Sequence, residues 1–132
     1  MSTCFTLLVT GSPTNSQAHL SAIRFAKAAL AAGQKIANIF FYQEAVLVAS
    51  EFIIKPDDEA QLTEEWEELC NKNGIELQVC IAAGNRRGII EQEEANLKGK
   101  SGASIRPGFK VLGLGQFAAA LSSGENKLVH FK

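Results

Sequence analysis

Cys80, Arg86 and Arg87 stand within eight positions of one another, a thiol and two guanidinium groups close enough in sequence to share a site. Cys80 comes near the end of the apolar run Ile75-Glu76-Leu77-Gln78-Val79-Cys80-Ile81, and the small-residue turn Ala82-Ala83-Gly84-Asn85 follows. That order reads as a buried strand with a thiol at its carboxyl end, where chemistry collects in open α/β sheets. A turn that opens a helix there would aim backbone N–H groups at the sulfur. Arg86 and Arg87 would add positive charge, and both effects favour thiolate over thiol. The pattern alone leaves an inert, buried cysteine as an equal alternative, since cysteine is among the most buried residue types.

The chemistry open to such a thiol is bounded by what surrounds it. Hydrolytic cysteine catalysis needs a base in reach, usually histidine with an orienting partner. His19 and His130 are the two histidines, and no motif ties either to Cys80. Sulfur relay asks for less. A thiolate that attacks a persulfide, holds its terminal sulfur and yields it to another thiolate follows the course of thiol–disulfide exchange and needs no general base. Cys70, beside Leu69 on an apolar helix stripe with Trp66, reads as buried and inert, and Cys4, placed just before the first strand, reads as structural. No CxxC, HExxH or His/Cys cluster offers metal-ligand spacing, so no metal and no cofactor are expected. The carboxylates Glu64, Glu65, Glu67 and Glu68, and likewise Glu91, Glu93 and Glu94, read as solvated helix faces. Gly113-Leu114-Gly115-Gln116-Phe117-Ala118 matches GxGxxA but lacks the acidic residue that a dinucleotide site wants about twenty positions on. It reads as a tight strand-to-helix turn, with a small-ligand or nucleotide module as a rival. Gly11-Ser12-Pro13-Thr14 carries no phosphate-loop pattern.

The elements that must position Cys80 alternate in type. Phe5–Thr10 reads as a strand. Thr14 and Gln17 have capping-box spacing for a helix with Ala18, Ala22, Phe25, Ala26 and Ala29 on one face, ended by Gly33. Ile36–Tyr42 suits a strand covered on both faces, and Glu44–Ser50 a short helix. Leu62, Trp66, Leu69 and Asn73 form a helical stripe stopped by Gly74. After the Cys80 strand come a polar stretch from Arg87 to Gly102 that reads as a short helix plus an exposed loop, a strand at Lys110–Leu112, a helix at Gln116–Leu121 and a strand at Lys127–Phe131. This alternation predicts a single domain, 1–132, of class α/β: a three-layer α/β/α sandwich around a mainly parallel sheet of about five strands.

Composition agrees with that class and narrows the partners. The chain has 132 residues, 46% hydrophobic and 20% charged, with a formal net charge of −1. Such a balance gives no electrostatic reason to grip nucleic acid. No apolar run reaches the length of about 18 residues that spans a membrane, and no signal peptide is visible. An odd, widely spaced set of three cysteines is not a disulfide framework and suits a reducing compartment, with the cytoplasm as the expectation.

The segment Gly74–Ala83 with Arg86-Arg87-Gly88 resembles the active-cysteine segment of the DsrE/TusD family of sulfur-relay proteins. Val9-Thr10-Gly11 with Phe25-Ala26, Phe40–Val46, Gly108-Phe109 and Leu112–Gly115 resemble other parts of the same family. The resemblance implies a DsrE-like fold and a sulfurtransferase subunit with Cys80 as persulfide carrier. It further implies TusB-like and TusC-like subunits in a heterohexamer, a TusA-like sulfur donor and a TusE-like acceptor, serving 2-thiolation of the tRNA wobble uridine. A thiolate-tuning role for Arg86 and Arg87 is a hypothesis built on that match. The rivals are a DsrE-type subunit in dissimilatory sulfur oxidation and a non-catalytic scaffold with Cys80 merely buried.

Overall fold

A computed structural model describes residues 2–132. Its strands are β1 (Cys4–Val9), β2 (Lys35–Phe41), β3 (Glu76–Cys80), β4 (Phe109–Leu112) and β5 (Lys127–Phe131), and its α-helices are α1 (Ala18–Ala31), α2 (Leu62–Asn73), α3 (Ile81–Arg86), α4 (Gln92–Leu97) and α5 (Leu114–Ser123). A 3-10 helix, Gln43–Ala49, follows β2. The five strands form one sheet in the order β4-β3-β2-β1-β5, every pair parallel. The chain steps outward from β1 to β4, then crosses back to lay β5 on the far side of β1.

Strand side chains alternate between faces, and the two faces differ in kind. Leu7, Val9, Ile39, Phe41, Leu77 and Val79 point to one face and are buried almost completely. There Trp66 of α2 meets Phe41 edge-on at 5.4 Å, and His19 of α1 stacks on the same ring at 5.7 Å. Thr6, Asn38, Phe40, Gln78 and Cys80 share the opposite face, which α5 covers through Phe117, stacked on Phe40 at 4.2 Å. The polar members of that face bond to one another. Asn126 Nδ2 donates to Thr6 Oγ1 (3.2 Å), Thr6 Oγ1 to Asn38 Oδ1 (3.1 Å), Asn38 Nδ2 to Gln78 Oε1 (2.8 Å) and Gln78 Nε2 to Glu76 Oε1 (2.7 Å). This transverse ladder explains how residues with the parity of Cys80 can be polar and still largely covered.

Helix ends differ from the sequence expectations in instructive ways. α1 begins at Ala18 rather than after Thr14, because Ser12 and Ser16 take the exposed donors first. Ser12 Oγ accepts from Thr14 N (3.1 Å) and Asn15 N (3.3 Å), and Ser16 Oγ accepts from Ala18 N (2.9 Å). Gly74 does stop α2, in the left-handed region at φ 64°, where a side chain is strained. The buried line of α2 runs through Leu62, Thr63, Trp66 and Cys70, whereas Asn73 is exposed. Thr63 sits inside because its hydroxyl donates to the Val48 carbonyl at 2.6 Å. Cys4 lies within β1 rather than before it, at the amino end and half-buried.

Candidate functional site

Cys80 is the last residue of β3 and the residue immediately before the first turn of α3. Leu77 and Val79 carry β3 into the sheet interior, and Ala82, Ala83 and Gly84 then allow a close helical turn. Gly84 is required there: a Cβ on it would stand 2.8 Å from the Ile89 carbonyl oxygen. The Gly84 carbonyl in turn accepts from Arg87 N (2.9 Å) and Ile89 N (2.8 Å), which folds the chain back at the end of α3. Cys80 is 2% exposed. Its register partner on β4 is Leu112, and the exposed side chains of Ile81 and Leu114 follow these two residues at the same end of the sheet.

The two arginines part company. Arg87 is engaged: Nε donates to Glu44 Oε1 at 2.7 Å and Nη1 donates to the Ala83 carbonyl at 3.0 Å. Arg86, one residue earlier, is exposed. Glu44 lies in the first turn of the 3-10 helix, directly after Gln43, which holds φ 54° without being glycine. Sequence reading gave Glu44 no role. It lies 43 positions from Arg87, and no local pattern links a carboxylate to a guanidinium at that separation.

The remaining cysteines and histidines stand apart from this end of β3. Cys70 is buried on α2, and burial pushes its thiol up to about 12, which leaves it protonated and unreactive. His19 is fully buried: Nε2 donates to the Gly11 carbonyl at 3.0 Å and Nδ1 accepts from Trp66 Nε1 at 3.0 Å. Burial lowers its pKa to about 4, against the Gly11 bond, which raises it. His130 Nε2 meets Thr10 Oγ1 at 2.8 Å on β5, the far edge of the sheet from β4. Both imidazoles are thus held by other partners. The glycine turn at Gly113 and Gly115 links β4 to α5, and Gln116 Oε1 accepts from Gly113 N at 2.9 Å. A groove of about 410 Å³ between α1 and α2, lined by Lys27, Glu65, Leu69 and Lys72, holds no cysteine and lies away from β3's carboxyl end. Among the described residues no helix is long and apolar enough to cross a membrane.

Comparison with known proteins matches residues 4–131 to the DsrE/DsrF-like family. The sulfurtransferase TusD of Cronobacter sakazakii is 43% identical over 116 residues, 88% of this chain and 91% of that protein. The TusD homolog of Pseudomonas aeruginosa is 42% identical over 119 residues, 90% of each chain. The putative sulfurtransferase DsrE of Allochromatium vinosum is 36% identical over 125 residues, 95% of this chain and 96% of that protein. Among solved structures, the YchN protein of E. coli matches with a TM-score of 0.74 at 17% identity, covering 99% of this chain and 100% of that one, a likeness of fold.

Proposed function

The chain belongs to the DsrE/DsrF-like family, and from that premise we propose that it is a sulfurtransferase that carries persulfide sulfur on Cys80. One observation carries the assignment to this residue. Of the three free cysteines, only Cys80 stands at the carboxyl end of a strand, at the turn into a helix. In the first step the Cys80 thiolate attacks the terminal sulfur of a donor persulfide. The donor S–S bond breaks, the donor leaves as a thiolate, and Cys80 becomes the persulfide. In the second step an acceptor thiolate takes that terminal sulfur and restores the Cys80 thiolate, so no oxidant or reductant is consumed. The small exposure of Cys80 supports a carrier role, since a persulfide held there is shielded between exchanges.

The reading extends to partners and pathway. The curated relatives named TusD support membership in a sulfur-relay complex. We assign the chain to a heterohexamer with TusB-like and TusC-like subunits in the cytoplasm, between a TusA-like donor and a TusE-like acceptor, towards 2-thiouridine at the tRNA wobble position. The relative named DsrE, similar over nearly the whole chain, favours the same chemistry in sulfur oxidation as the second reading. Loss of wobble 2-thiouridine on deletion of the gene is the expected result, and intact thiolation with impaired sulfur oxidation would favour the second.

The chemical step is tested by incubating the purified protein with a small persulfide donor and mapping added sulfur by intact-mass and peptide analysis. One sulfur is expected on Cys80, none in Cys80→Ser, and release on addition of an acceptor thiol. Sulfur found on Cys4 or Cys70 but never on Cys80 would overturn the assignment.

A further inference from the structure

The connection from β4 to β5 decides what lies over Cys80. These strands are the two edges of the sheet, so the chain between them must cross β3, β2 and β1. α5 makes that crossing on the face that carries Cys80, Phe40 and Gln78. It begins two residues after Leu112, the register partner of Cys80, and its fourth residue, Phe117, is already stacked on Phe40 of β2. The first turn of α5 therefore passes over the strand in between, β3, at its carboxyl end. Leu114, Phe117 and Leu121 fall on one stripe, three and four residues apart. Phe117 rests on Phe40, and Leu121 borders the cavity at Thr6 and Asn38, one step nearer the amino ends of the strands. Leu114 is left at the carboxyl end, over Cys80. Leu112 walls the thiol on one side. Tyr42 walls it on the other, extended one step past the Phe41–Val79 pair and stacked on Phe40 at 6.4 Å. The roof is held weakly. Leu114 is 44% exposed, α5 carries no charge, and the hydrogen bonds its side chains make, with Gly113, Ala118 and Ala120, all close within the segment.

We propose that the first turn of α5 is the gate of the sulfur site: Leu114 closes over the Cys80 thiol, the Phe117–Phe40 stack latches the helix down, and sulfur enters and leaves when that turn lifts. The proposal rests on Cys80 as the working thiol and deepens that reading, with Leu114 and Phe117 as positioning residues. A thiol that is 2% exposed reacts only as fast as its surroundings open. Lifting one short helix exposes far less surface than unfolding the core, and that difference is measurable.

Alkylation of the full chain by iodoacetamide, mapped by peptide at rising urea below the unfolding transition, separates local from global opening. Cys70, equally buried on α2, reports the global one. Cys80 is expected to react faster than Cys70, at a rate nearly flat in urea while the Cys70 rate climbs. Leu114→Ala accelerates Cys80 by about three- to tenfold, with the pH midpoint of its alkylation unchanged, because the gate governs access and not charge. Gly115→Ala adds a Cβ that meets nothing within 4 Å and favours the helix, so it slows Cys80 by about threefold. Ile23→Val, a core change on α1, accelerates Cys70 and leaves Cys80 as it was. Three results overturn the proposal. Cys80 rates that climb with urea or follow Ile23→Val would mean that only global unfolding reaches the thiol. Rates indifferent to both Leu114→Ala and Gly115→Ala would put access elsewhere, and a shifted pH midpoint in Leu114→Ala would mark α5 as acting on the charge of the sulfur. A wild-type protein that takes no sulfur on Cys80 ends the sulfur-carrier reading while leaving this comparison intact.

Discussion

His19 shows how a residue with catalytic chemistry can be spent on architecture. Its ring lies between Phe41 and the α1–α2 contact, neutral, with one nitrogen donating to Gly11 and the other accepting from Trp66. The folded pKa of about 4 lies below the ordinary 6.5, so between those values the unfolded chain binds more protons than the folded one. Stability is therefore fully present above about pH 6.5 and falls as pH drops towards 4, by roughly 3 kcal/mol from this group. Urea denaturation from pH 7.5 to 4 is expected to show that fall in wild type and to lack this component in His19→Gln. Equal pH slopes in both would remove His19 as the cause. The sequence carried no sign of the burial of His19, since Trp66 is 47 positions away. The place of Cys80 at the end of a strand was legible for the opposite reason: that strand and the turn after it are contiguous. Glu44, like Trp66, had to wait for the fold.

At the scale of elements, α5 is the least secured layer. It has ten residues, none charged, and Phe117 alone is buried. Ala118, Ala119 and Ala120 are exposed, and a cavity of about 80 Å³ lies beneath, bordered by Thr6, Asn38, Gln78 and Asn126 on one side and by Leu112, Phe117 and Leu121 on the other. The Phe40–Phe117 stack is thus the main apolar attachment of this helix to the sheet. Phe117→Ala is expected to lower unfolding free energy by about 3 kcal/mol and to raise amide exchange in α5 before the rest of the chain. A loss under about 1 kcal/mol would mean that α5 is held by something other than this ring. The strands, α1, α2 and α5 were legible because apolar periodicity and glycine stops mark them, as at Gly74 and Lys127–Phe131, whereas α3 read only as a small-residue turn. The start of α1 was not, because Ser12, Thr14 and Ser16 compete for the same N–H groups, and spacing alone does not rank them.

For the whole molecule, no covalent brace supplements the core. Cys4, Cys70 and Cys80 are all free, so adding reductant is expected to leave the thermal midpoint unchanged within about 1 °C. A shift of several degrees would reveal a disulfide in the purified protein. Cohesion comes instead from the face of the sheet where α1 and α2 meet, and one indole stands at that junction. Trp66 is the chain's single tryptophan, fully buried, bonded to the His19 ring and edge-on to Phe41. Intrinsic emission excited at the red edge of the indole band therefore reports one location, without contributions from any other fluorophore of its kind. Seating of both helices on the sheet can be read as a colour: blue-shifted while Trp66 is dry, red-shifted once water reaches it, and quenched if its imidazole neighbour takes a proton.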